Sequence, residues 1–222
     1  MNESTLDLLR EAFWPILRGG LLGTIPLAII SFALGLVLAL GVALMRLSSN
    51  PLLSWLGRAY VSVIRGTPLL VQLFVVFYGL PSIGIRIEPW PSAIIAFSLN
   101  TAGYAAEIIR AAILSVPKGQ WEAAYTIRMG RTATLQRIIL PQAARVSVPP
   151  LSNSFISLVK DTSLASLILV TELFREAQQV AAFSGDFMAV YLLAAAIYWV
   201  FCIVLSFLQS RLETRLDRYV AH

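Results

Sequence analysis

The stretch Trp121–Pro141, WEAAYTIRMGRTATLQRIILP, decides how this chain is read. It carries Glu122, Arg128, Arg131 and Arg137 between two long hydrophobic blocks, and is too polar to cross a bilayer. Its residues favour helix, and Pro117 stands just ahead of it. Everything on either side is apolar enough for the opposite fate.

The chain is 58% hydrophobic and 13% charged, with a mean hydropathy of +0.77, against about 25% charged residues in a soluble domain. The fold class is an all-α polytopic membrane protein. The formal charge of +5 is scattered among apolar blocks and forms no basic arm, which argues against nucleic acid as a partner. Cys202 is the single cysteine and lies in an apolar run, so neither a disulfide nor a metal site is expected. His222, the single histidine, is the last residue, which leaves none in the interior for a proton relay or a catalytic triad.

Outward from the central stretch, the hydrophobic blocks are counted as spans. Residues 1–18 hold Glu3, Asp7, Arg10, Glu11 and Arg18, unlike a signal peptide, and place Leu6, Leu9, Phe13 and Ile16 at helical spacing. They are expected as an interfacial helix ahead of the first span. Span one runs from Leu21 to Met45 without a charge. Arg46 to Arg65 reads as a polar connection with an interfacial helix, and span two as Thr67 to Leu80. Span three is Ser92 to Val116, with Asn100, Tyr104, Glu107 and Arg110 inside it. Pro149-Pro150 is expected to break the backbone ahead of span four, Leu151 to Val170, and span five covers Phe187 to Leu208.

Charge asymmetry orients these five spans. Arg46, Arg58 and Arg65 after span one, Lys118 through Arg145 after span three, and the arginines of the tail fall on one side. Short loops rich in Lys and Arg stay in the cytoplasm, so the N-terminus is expected outside and the C-terminus inside. The single domain, 1–222, then divides into the interfacial helix, a five-span core at 19–210 with a cytoplasmic segment at 117–141, and a tail at 211–222. Within the cytoplasmic segment, Ala123 and Ala124 beside Trp121 form a small surface with one large anchor, suited to a groove on a partner. Glu122 in the first turn suits the helix dipole.

This segment resembles the cytoplasmic signature of permease subunits in ATP-binding-cassette (ABC) importers. Glu122, Ala123, Ala124, Ile138, Leu140 and Pro141 fall in register with it, while Arg128 stands where the family places glycine. The turn is therefore expected to move to Gly130. Arg65-Gly66-Thr67-Pro68-Leu69-Leu70-Val71-Gln72 and Tyr104 through Arg110 resemble the polar amino-acid branch. Ser98 to Thr101, Pro149 to Phe155 and Ser157 to Leu164 look most like permeases for L-cystine. The resemblance implies the type I importer permease fold in a bacterial inner membrane, a second permease as in a homodimer, and an ATPase dimer docked through Trp121, Glu122, Ala123, Ala124, Arg128 and Gly130. It also implies an extracytoplasmic binding protein and a polar amino acid as substrate. No cofactor is expected on this chain, because ATP and Mg belong to the partner ATPase and no Walker A motif is present.

Asn100 lies about eight residues, roughly 12 Å, into span three, and Lys160-Asp161 about ten residues, roughly 15 Å, into span four. The two sites are expected to face one cavity, where a lysine, an aspartate and an amide match both charges of an amino acid. Glu107 is either a pathway residue or an ion pair with Arg110, and Gln72 either lines the path or packs between helices. An ion-coupled secondary transporter, with Asp161 or Glu107 as ion site, is the alternative. An intramembrane hydrolase lacks a histidine to activate its nucleophile.

Overall fold

The computed structural model describes residues 3–217, nearly all of them helical. In chain order the helices are α1 (Glu3–Gly19), α2 (Ile25–Arg46), α3 (Pro51–Gly66), α4 (Leu69–Phe74), α5 (Pro89–Ser115), α6 (Lys118–Thr126), α7 (Arg131–Thr134), α8 (Leu140–Asp161), α9 (Leu173–Ser184) and α10 (Phe187–Asp217). Three helical stretches are long and apolar enough to cross a membrane, or up to five if each of two bent pairs counts as one span.

The centre is α5, which packs against both α2 and α8. Small residues permit the approach: a methyl at Gly35 would sit 2.6 Å from Thr101 Cβ, and one at Gly103 would overlap the Ile64 side chain. Leu27, Leu73, Phe97, Val159 and Ile168 are fully buried where α2, α4, α5 and α8 meet. A second core joins the chain's two ends. Ala12 and Ile16 of α1 pack on Leu173, Ala177 and Ala181 of α9 and on Val190 and Ala194 of α10, all at helical spacing.

Several boundaries differ from the sequence reading. The stretch 1–18 is not a separate helix: α1 continues into α2 through a π-helical turn at Gly20–Thr24, so residues 5–46 form one helix. Of the expected apolar stripe only Ile16 is buried, against α9 and α10, while Leu6 and Phe13 stay exposed. Pro149-Pro150 does not break the backbone, because α8 runs through both prolines. Prolines are tolerated in membrane helices where neighbouring elements hold the helix in place, and here α5 and α10 pack against α8. The fourth hydrophobic segment therefore starts much earlier, as one helical run from Arg131 to Ile168. The region of span two is a helix pair bent by 105° at Thr67-Pro68. Pro68 has no backbone N–H to continue α3, and Gly66 and Thr67 precede it.

Candidate functional site

The bend between α3 and α4 builds one wall of a polar cavity of about 450 Å³. Thr67, Pro68 and Leu69 come from the bend, Asn100, Thr101 and Tyr104 from α5, and Asn153, Ser157 and Asp161 from α8. Asn153, Ser157 and Asp161 are four residues apart, as are Asn100 and Tyr104, so two helices each present one polar stripe to the same space. Asn100 and Asp161 meet there as expected from sequence, Asp161 at the end of an α8 that is unbroken at Pro149-Pro150. Among the described residues no cation lies within ion-pair distance of Asp161.

Gln72 does not line this cavity; it braces it. Its Nε2 donates to the Ile64 carbonyl at 2.8 Å and to Thr67 Oγ1 at 2.9 Å, which ties the end of α3 across the bend. Its Oε1 accepts from Asn100 Nδ2 at 2.9 Å. The amide of Asn100 is thus held by the same residue that holds the wall opposite.

Lys160 does not line the same cavity as Asp161. It lines another cleft, with Phe174, Tyr191, Tyr198 and Trp199. Neighbouring residues on a helix point about 100° apart, so the pair cannot share one cavity wall. Glu107 also lies outside the polar cavity. Arg46 Nη1 and Arg110 Nε donate to its Oε1, the latter at 2.9 Å, and Arg65 Nη1 stands 3.8 Å from its Oε2. The ion pair with Arg110 is real, but it is one of three.

The segment 117–141 divides in two. Lys118–Thr126 is helix α6, and its second half, from Arg131, already belongs to the run that continues into α8. The turn between them stays at Arg128, which adopts a left-handed conformation at φ 56°, while Gly130 is extended at φ −66°. The Arg128 N–H donates to the Tyr125 carbonyl at 2.9 Å and the Met129 N–H to the Ala124 carbonyl at 3.0 Å. That pair of bonds is a Schellman cap, and it fixes the turn by hydrogen bonding even without glycine. Trp121 faces inward, packed with Val116, Ile139 and Leu135. Glu122 and Ala123 are exposed and Ala124 is buried. The outward apolar surface comes from Tyr125, 83% exposed, and Ile127, which the sequence reading passed over. A count of four from Trp121 puts Tyr125 on nearly the same face, so spacing alone did not separate them.

Glu172 lies between the fourth and fifth hydrophobic segments. It is fully buried at the start of α9, where its carboxylate accepts from the Arg175 and Phe174 N–H groups at 2.7 and 3.0 Å. It also accepts from Tyr198 Oη at 2.9 Å and Thr24 Oγ1 at 3.2 Å. Among the described residues, no three His, Cys, Asp or Glu side chains come together as a metal site.

Comparisons with known proteins follow this architecture. The chain is 61% identical over 216 residues to the L-cystine transport system permease protein TcyB of Bacillus subtilis, covering 97% of this chain and 92% of that one. It is 41% identical over 210 residues to the probable amino-acid ABC transporter permease protein YckA of the same organism, covering 95% and 92%. Among solved structures, an amino acid ABC transporter crystallised with histidines superposes at a TM-score of 0.89, with 33% identity and coverage of 97% and 100%. The MetNI methionine ABC transporter, in an inward-facing conformation, shares the fold at a TM-score of 0.73 and 20% identity, with coverage of 97% and 99%. The family model described as binding-protein-dependent transport system inner membrane component matches residues 31–218. The chain belongs to that family, the inner membrane components of binding-protein-dependent transport systems, and is a transport subunit and not an enzyme.

Proposed function

We propose that this chain carries a polar amino acid, L-cystine, across a bacterial inner membrane, as one of two identical permeases. On this reading each bent helix pair is one span, which gives five, with the N-terminus outside and the C-terminus in the cytoplasm. The observation that carries the proposal is the cavity in which Asn100, Asn153, Ser157 and Asp161 converge from two central helices. Uncharged amides and hydroxyls around one carboxylate suit an ammonium group with polar neighbours, and polar groups on membrane-spanning helices mark substrate pathways. The 61% identity to an L-cystine permease supports the choice of substrate.

The energy source is an ATPase dimer that binds ATP and Mg and docks on α6, and an extracytoplasmic binding protein delivers the substrate. Nucleotide state biases an equilibrium between outward- and inward-open forms through α6. The test is uptake of labelled L-cystine into cells lacking their own cystine importers. Production of the chain with its ATPase and binding protein should restore uptake, and omission of the ATPase should abolish it. Uptake without the ATPase that collapses with the proton gradient would favour the ion-coupled alternative.

A further inference from the structure

Glu107 is surrounded by three guanidinium groups, and they are not equivalent. Arg46 and Arg110 hydrogen-bond its Oε1, and their side chains are 16% and 30% exposed. Arg65 stands 3.8 Å from Oε2 with 47% of its side chain exposed. A long, half-exposed pair of this kind is weak. Glu107 keeps two close partners if Arg65 leaves, so release of Arg65 strands no carboxylate.

Arg65 is also the arginine beside the cavity. Its guanidinium carbon lies 5.4 Å from the centre of the Tyr104 ring, and Tyr104 lines the cavity. Thr67, two residues along the chain, lines it too. The cavity walls hold one carboxylate, Asp161, and no cationic side chain; Lys160, the next residue, acts on it only from the neighbouring cleft. An α-amino acid brings both an ammonium and a carboxylate, so half of its charge has no counterpart on the walls.

We propose that Arg65 receives the α-carboxylate of the substrate, moving from its loose contact with Glu107 toward the cavity while Asp161 receives the ammonium. The proposal rests on the reading of this cavity as the substrate site. The Arg65 guanidinium, held over the Tyr104 ring, has the planar fork needed for a two-point contact with a carboxylate. The excess of positive charge around Glu107 makes exchange of one carboxylate for another favourable. Selection for the zwitterion then follows from one fixed anion and one cation that can change partner.

The experiment is equilibrium binding to the purified permease–ATPase complex in nanodiscs, with labelled L-cystine and labelled cystamine, which keeps both amines and lacks both carboxylates. Arg65→Gln should weaken L-cystine binding by about 10- to 100-fold, the range for one charge-assisted contact, and leave cystamine within about twofold. Arg65→Lys, which keeps the charge but not the planar fork, should fall between. Equal losses for both ligands in Arg65→Gln, or no loss for either, would overturn the carboxylate role. Asp161→Asn should weaken both ligands, since both carry the amines. If Asp161→Asn changes neither, the cavity reading fails and this proposal with it; if it weakens both while Arg65→Gln does nothing, only the assignment of Arg65 fails.

Discussion

Asn100 donates its side-chain N–H to Gln72 Oε1 at 2.9 Å, across the space between α5 and the bent α3–α4 pair. Because Gln72 also holds Ile64 and Thr67, one amide sets both the bend and the orientation of a cavity group. Gln72→Leu keeps the volume and removes every one of these bonds. It should lower stability in detergent by about 1–3 kcal/mol, as for a buried polar group left unpaired. It should also weaken substrate binding, because Asn100 loses its orientation. Gln72→Glu retains the acceptor for Asn100 and should bind better than Gln72→Leu. Thermal melting of the purified complex, with and without ligand, checks both parts.

Arg128 occupies a left-handed backbone conformation that costs a non-glycine residue about 1–2 kcal/mol. Arg128→Gly should therefore stabilise the turn after α6, by about 0.5–1 kcal/mol once glycine's greater freedom in the unfolded chain is subtracted. Gly130 is extended, and a methyl there meets nothing within 4 Å. Gly130→Ala should accordingly stay within about 0.5 kcal/mol of the native chain. Melting temperatures of the two variants separate the positions directly: the opposite ranking would mean that the turn lies at Gly130.

Much of this was legible in sequence. The apolar blocks, the polar segment between them and the register from Glu122 to Pro141 each rest on composition or spacing, which tertiary context does not alter. What was not legible has physical causes. Pro149-Pro150 was read by its effect on an isolated helix, whereas here α5 and α10 pack along α8 and the run survives. Lys160 and Asp161 are adjacent in sequence and diverge in space because a helix turns about 100° per residue. The stripe Asn153, Ser157, Asp161 was available from a four-residue count and would have placed Asp161 without Lys160. The burial of Glu172 had no local signal, since the two side chains that cover its carboxylate, Thr24 and Tyr198, lie on other elements.

Glu172 links the first helix to the last two. Its carboxylate accepts from Thr24, Tyr198 and two N–H groups of α9. Glu172→Ala removes all four acceptor contacts and leaves a cavity, at a cost of about 3 kcal/mol or more. Glu172→Gln keeps one oxygen and the volume, so its loss should be nearer about 1–2 kcal/mol. Gly23→Ala should be as damaging as the alanine at Glu172, because its methyl would sit 2.5 Å from the Thr171 carbonyl oxygen. Expression yield and melting temperature in detergent measure the order.

On α6, the inward Trp121 and the outward Tyr125 should separate packing from docking. Trp121→Ala should lower the melting temperature of the permease alone, through loss of contacts with Val116, Leu135 and Ile139. Tyr125→Ala should leave that temperature unchanged and weaken binding of the partner ATPase by about 30-fold, corresponding to an interface loss of about 2 kcal/mol. Glu122→Lys, also on the exposed surface, should leave the permease folded and uncouple ATP hydrolysis from uptake. Sedimentation of permease with ATPase, followed by uptake assays, reads these effects.

On the proposed function, substrate passes through the cavity between α5, α8 and the α3–α4 bend, and this route can be seen directly. It is tested most directly by a cryo-electron microscopy structure of the permease–ATPase complex saturated with L-cystine. Ligand density is expected inside a permease subunit, bounded by Asn100, Ser157 and Asp161. Density at a different place, such as the cleft beside Lys160 or the junction between the two permeases, with this cavity empty, would contradict it.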